Sequence, residues 1–165
     1  MYTDKYGVEV KYRRLTKEQL VEMHQEFINF LATQSITAQE WKSIKENKPE
    51  VAEEEIDIFS DLVWEGVLSK IEYLENISAT QMHLFHLTDK RMNLIAVRVG
   101  QPGIDLRTKH GFAWFKQNYM GDNVEIMTAT KAYSDDKLMD RFELIEKGAI
   151  ITKGELFRYF DDIIE

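Results

Sequence analysis

The chain of 165 residues contains no cysteine. That one absence excludes disulfides, thiolate nucleophiles, Cys-ligated zinc and Cys-held iron–sulfur clusters together. Proline is nearly missing as well, with only Pro49 and Pro102. No window approaches the roughly 18 consecutive apolar residues of a membrane-spanning helix, so no membrane is expected as a partner. Residues 1–15 carry Lys5, Lys11, Arg13 and Arg14 without an apolar run of signal-peptide length. The expected setting is therefore cytoplasmic.

The common catalytic signatures are absent too. There is no G-x-S-x-G elbow, no G-x-x-x-x-G-K-[ST] loop and no G-x-G-x-x-G fingerprint. Gly100-Gln101-Pro102-Gly103 has the wrong spacing and a rigid proline. No His-Glu-x-x-His spacing occurs, and residues 135–146 lack the central glycine of a calcium loop. No cofactor and no metal site is expected from these motifs. What they leave open is an enzyme assembled from scattered residues, such as a metal-assisted hydrolase using carboxylates and His110.

What is present suffices for a core. Apolar residues make up 44% and aromatics 12%, which excludes wholesale disorder. At 19.5 kDa one globular domain over residues 1–165 is expected. The formal net charge is −8, and it is unevenly placed. Residues 1–80 hold nine Lys or Arg against sixteen Asp or Glu, whereas residues 81–165 hold twelve against thirteen. Residues 48–66 alone hold one Lys against seven acids. Phosphate binding needs Lys and Arg clusters, so nucleic acid is a poor match for this surface.

Residues 7–15 alternate Val8, Val10 and Tyr12 with Glu9, Lys11 and Arg13, which predicts a strand. Thr16 with Gln19 forms a capping-box pattern opening one helix to about residue 32, with His24 on its apolar face and expected as a hydrogen-bonded core histidine. Thr37 with Glu40 repeats that pattern for a helix to about residue 47. Pro49 suits the first turn of a third helix, with Gly66 near its end. Residues 71–74 either continue that helix or form a short strand, and the strand is the favoured reading. Residues 82–87 and 92–99 are strands joined by the turn-like Thr88-Asp89-Lys90-Arg91, hence a hairpin. A helix over 108–118, a strand over 124–129 and a helix from Ser134 to Lys147 follow. Thr152 with Glu155 opens a last helix. Helices and strands are not regularly interleaved. The expected fold class is α+β: a four- or five-stranded mixed or antiparallel sheet with about six helices, the N-terminal part mostly helical.

Five phrases carry a family likeness: Lys-Tyr-Arg-Arg-Leu-Thr-Lys-Glu at 11–18, Phe-Ile-Asn-Phe-Leu-Ala at 27–32, Asn-Lys-Pro-Glu-Val-Ala-Glu at 47–53, Phe-Ser-Asp-Leu-Val-Trp-Glu-Gly at 59–66 and Ile-Thr-Lys-Gly-Glu-Leu at 151–156. Together they resemble an uncharacterised family of small cytoplasmic Bacteroidetes proteins, a domain of unknown function. The resemblance implies a bacterial cytoplasmic setting and supplies no activity or site.

The acidic helix is the most distinctive feature. Glu53, Asp57, Asp61 and Glu65 stand four apart and so follow one another up one side. The helical wheel puts Trp64 among them, and Ala52, Ile56, Phe59, Leu62 and Val63 on the apolar arc. An aromatic among carboxylates fits a protein-contact patch as well as a solvated helix face, since Trp is favoured at binding hot spots. Glu55 falls within the apolar arc, either as a buried carboxylate or as an edge residue with a basic partner. His83 and His86 differ by three on a strand and point to opposite faces. The basic segment Lys11, Arg13 and Arg14 is either an exposed strand face or the counterpart of the acidic helix in a second copy. The expected function is a non-enzymatic protein-binding or adaptor role. Glu53, Asp57, Asp61, Trp64 and Glu65 would meet a basic protein surface or a second copy. A structural subunit of a larger complex is a further alternative.

Overall fold

The computed structural model describes residues 2–3 and 9–164, with side chains from Val10 onward. Its contacts group the chain into two compact units, Met1–Ser69 and Lys70–Glu165. Among the described residues there are seven helices and seven strands, and the fold class is α+β.

In the first unit β1 (Tyr2–Thr3) and β2 (Glu9–Val10) form a two-stranded antiparallel ribbon, Tyr2 opposite Val10. Of the strand expected over 7–15, Gly7 and Val8 lie outside the described residues, and among the described ones it ends at Val10 rather than Leu15. From Lys11 the chain leaves the ladder because its backbone N–H groups find side-chain acceptors instead. Thr16 and Gln19 close the expected capping box, at 3.1 and 2.8 Å. The helix they open is not continuous to residue 32. It breaks at Met23 into α1 (Lys17–Glu22) and α2 (His24–Thr33). The break orients Phe27 and Phe30 onto Phe59, with centroids 5.0 and 5.4 Å apart, and Phe27 onto Trp41 at 5.2 Å. Aromatic packing of this kind outweighs the small cost of interrupting a helix.

α3 (Ala38–Asn47) starts as expected, with Thr37 Oγ1 accepting from the Glu40 N–H. α4 (Pro49–Lys70) is the longest helix and runs straight past Gly66. One glycine costs a helix only about 1 kcal/mol. Leu68, fully buried two residues further on, holds the final turn in place.

The second unit is built on a five-stranded, all-antiparallel sheet in the order β6-β5-β4-β3-β7. Its strands are β3 (Tyr73–Ile77), β4 (Gln81–Leu87), β5 (Arg91–Val99), β6 (Val124–Ala132) and β7 (Ile150–Thr152). The expected hairpin of β4 and β5 is present, with Met82 opposite Val97 and Leu84 opposite Ile95. Period-two alternation sends these four side chains to one face. There α5 (Lys109–Asn118) and α7 (Glu155–Ile164) bring Phe115, Phe157 and Phe160 to close the core. α6 (Lys137–Glu146) lies over the other face.

Three local expectations change. The short strand over 71–74 is β3, beginning two residues later. Asp136 rather than Ser134 caps α6, accepting from the Met139 N–H at 3.1 Å. Ser134 instead donates through its N–H and hydroxyl to the Asp140 carboxylate at 2.7 and 2.8 Å. Thr152 is the last residue of β7 rather than a helix cap. Its Oγ1 accepts from the Gly154 N–H, and Gly154 turns the chain at φ 80°. An alanine there would drive its Cβ to 2.4 Å from the Tyr73 ring.

Candidate functional site

The sequence-predicted site is the acidic side of α4, and the first unit shows what lies on it. Residues 11–15 run along that helix as an irregular strap. Asp61 accepts from the backbone N–H groups of Lys11 and Tyr12 at 2.9 and 3.1 Å. Arg14 reaches Asp57 through Nε at 2.6 Å and Glu53 through a second nitrogen. It also donates to the Glu53 carbonyl at 3.2 Å. Ser60 Oγ accepts from the Leu15 N–H at 3.1 Å and donates to the Ile56 carbonyl. Trp64 Nε1 donates to the Arg13 carbonyl at 2.9 Å, and the Arg13 guanidinium lies over the indole at 5.1 Å.

This is a charge-assisted clasp. Asp57 is 1% exposed and Arg14 about 29%. Burial acts to lower the pKa of the Arg14 guanidinium, but hydrogen bonds to Asp57 and Glu53 and their charges outweigh it and raise it further. The basic segment and the acidic helix do meet, and they meet within one chain. Four of the five predicted contact residues, Glu53, Asp57, Asp61 and Trp64, thus have partners in residues 11–14. Glu65, the fifth, stays on the outer side and is half-buried.

Turned away from the clasp is a different stripe. Ile58 is 44% exposed and Leu62 is 52% exposed, one turn apart. Leu62 therefore does not belong to the buried arc, whereas Ala52 and Phe59 do. The wheel misplaces it because the strap claims the side of α4 at Asp57 and Ser60, rotating the buried arc away from Leu62. Glu54 is exposed on the same outer stripe. Glu55, at its border, is half-buried and accepts from Gln34 Nε2 at 2.7 Å, an amide rather than the expected basic partner.

The histidines are dispersed. His24 is exposed as the first residue of α2, not a core histidine. It lines an apolar cleft of about 240 Å³ with Leu20, Val21, Phe27 and Trp41. His110 is exposed on the first turn of α5. His83 and His86 point to opposite faces of the sheet, as their spacing requires. His86 stacks on Tyr73 at 4.6 Å and 11° and faces Phe157 at 5.4 Å. A shallow cleft of about 440 Å³ lies beside it, bordered by Asn93, Thr128, Thr130 and Asp161. Among the described residues no three His, Asp or Glu side chains converge as metal ligands.

Two charged residues escaped the sequence reading. Arg141 is 3% exposed within α6. It donates to the Thr88 carbonyl at 3.1 Å and to the Tyr133 hydroxyl, tying α6 to the β4–β5 turn. Its neighbour Phe142 is also buried, so the apolar pattern around position 141 was the available signal. Glu75 on β3 is half-buried, and burial followed by the nearby Glu155 charge pushes its carboxyl above the ordinary range. At the surface Arg107 holds the Asp105 carboxyl down at about 2.

Fold and site together define an α+β protein: an antiparallel sheet with helices on its faces, and a helical unit bound by an internal acid–base clasp. No helix among the described residues is long and apolar enough to cross a membrane. The chain belongs to the family of unknown function DUF6495, which it matches over residues 10–165. No curated protein and no solved structure matches it.

Proposed function

We propose that this chain is a non-enzymatic, cytoplasmic protein-binding or adaptor module, and that the outer stripe of α4 is its contact surface. One observation carries the reading: Ile58 and Leu62 stand 44% and 52% exposed, side by side on a helix rich in carboxylates. Each side chain is already about half covered, so burying the remainder against a partner would contribute roughly 1 kcal/mol apiece. Glu54 and Glu65 border them, so the partner that fits is apolar at its centre and basic at its rim. The clasp supports the reading indirectly. Arg14 pairs with Glu53 and Asp57, and two backbone N–H groups bind Asp61, so residues 11–14 occupy that side of α4 and leave the outer carboxylates for a partner. A Bacteroidetes origin belongs to the same reading and rests on the five phrases quoted above.

The test is an affinity capture from native-host lysate at low salt with wild type and the variant Ile58→Ser, Leu62→Ser. Both positions are exposed, so the variant should fold with a total stability change of about 1 kcal/mol or less. A protein recovered by wild type, released by salt and lost in the variant is the expected result. Equal recovery by both would return the stripe to an ordinary solvated surface.

A further inference from the structure

We propose that β6 is a self-recognition edge: it pairs antiparallel with β6 of a second copy of this chain, centred on Thr128, joining two five-stranded sheets into one. The sheet ends in two very different edges. β7 is three residues long, which is itself protection against pairing. β6 is nine residues long and pairs with β5 without a bulge, in register from Val124 to Ala132. It contains no proline, and residues 127–132 are all exposed. Among the described residues no strand pairs with its outer side. A long, regular, uncovered edge is the kind that takes another strand.

The direction of the free backbone groups follows from the ladder. The Val99 N–H is bonded to the Thr80 carbonyl on the β4 side, and the Gly100 N–H to the Asn123 carbonyl on the β6 side. Alternation along antiparallel strands then points the backbone groups of 125, 127, 129 and 131 toward β5. Those of 126, 128, 130 and 132 point outward. A second β6 related by a two-fold axis at Thr128 sets 128 opposite 128, 126 opposite 130 and 124 opposite 132. Every one of these pairs has the outward parity that hydrogen bonding requires.

Side chains select this register over its neighbours. It places Glu125 opposite Lys131, twice by symmetry, and Met127 opposite Ala129. Glu125 and Lys131 are the only charged residues of β6, so one register satisfies both. Met127, 62% exposed in the single chain, gains a cover. On the other face Ile126 meets Thr130 and the two Thr128 side chains meet each other. Opposite charges and Thr–Thr pairs directly across an antiparallel ladder are favourable, and like charges there are not. An isologous pairing of this form closes on itself after two copies.

Analytical ultracentrifugation of the full chain over about 10–500 μM reads the outcome directly. Wild type is expected at twice its 19.5 kDa chain mass at the upper end. Thr128→Pro removes an outward N–H that bonds nothing in the single chain, so it should leave the fold intact and give a monomer. Glu125→Lys alone and Lys131→Glu alone should each raise the dimer dissociation constant about tenfold, and the two together should restore it to within about threefold. The charge-swap cycle decides the matter should the proline variant misfold. A wild type that stays monomeric throughout overturns the proposal. So does a dimer that the single reversals do not weaken or the swap does not restore, since its interface then lies elsewhere.

Discussion

Arg14 shows how much one side chain decides in the first unit. It joins the strap of residues 11–15 to Asp57, which is 1% exposed, and to Glu53. Removing a cationic partner from a buried carboxylate weakens the pairing of a charge held out of water, at a cost of about 3–5 kcal/mol. Removing the carboxylate instead leaves Arg14 partly solvated and still paired with Glu53. Arg14→Met should therefore lower unfolding stability by about 3 kcal/mol or more, and Asp57→Ala by clearly less, as read by urea denaturation. Equal losses would show that the pair, rather than the burial of Asp57, sets the cost. Glu75 is the opposite case. Burial and the Glu155 charge raise its folded-state pKa above the ordinary 4.5. Its contribution to stability is then fully present below the unfolded value and lost as pH rises through the folded one. Glu75→Gln should raise Tm by about 1–3 °C at pH 7 and leave it unchanged at pH 4. A shift of equal size at both pH values would rule out the titration as its cause.

Elements depend on single close approaches that propensity does not show. Gly111 sits in the first turn of α5, where its N–H donates to Thr108 Oγ1 at 2.9 Å. Helix propensity favours alanine there by about 1 kcal/mol. In this fold a Cβ at 111 would lie 1.8 Å from the Asp105 carbonyl oxygen and 2.5 Å from its carbon. Those are backbone atoms of the turn leading into the helix, and the Asp105 carbonyl is held there by the Thr108 N–H and hydroxyl at 3.0 and 2.8 Å. Gly111→Ala should thus cost about 2–3 kcal/mol in urea denaturation, against the sign of propensity. A variant as stable as wild type would mean that the Asp105 turn can open. The capping boxes teach a related lesson. The Thr16–Gln19 box and the Thr37 cap, which makes only the bond from the Glu40 N–H, were legible because these bonds are local. Thr152–Glu155 has the same spelling, but pairing of residues 150–152 with β3 took its threonine into a strand. The break at Met23 and the passage through Gly66 were likewise decided by what the neighbouring turns bury.

At the scale of the whole molecule, the charge and the repertoire of elements could be read from the order of residues alone. Composition and period establish an α+β chain with a helical N-terminal part, the β4–β5 hairpin, the α4 helix and a concentration of carboxylates upon it. These are properties of neighbours in sequence, within reach of 3.6- and 2-residue periods and of side chains that bond to nearby backbone. The direction in which those carboxylates face was not such a property. It took the fold to lay Arg14 against Asp57 some 43 residues away, to claim Asp61 with two backbone N–H groups and thereby to turn Ile58 and Leu62 outward. Tertiary structure also settled that β3 lies between β4 and β7 and that β6 is left at an edge. Strand order and helix rotation are set by which long-range contacts bury most surface and pair most charge, and that sum is taken only when distant segments meet.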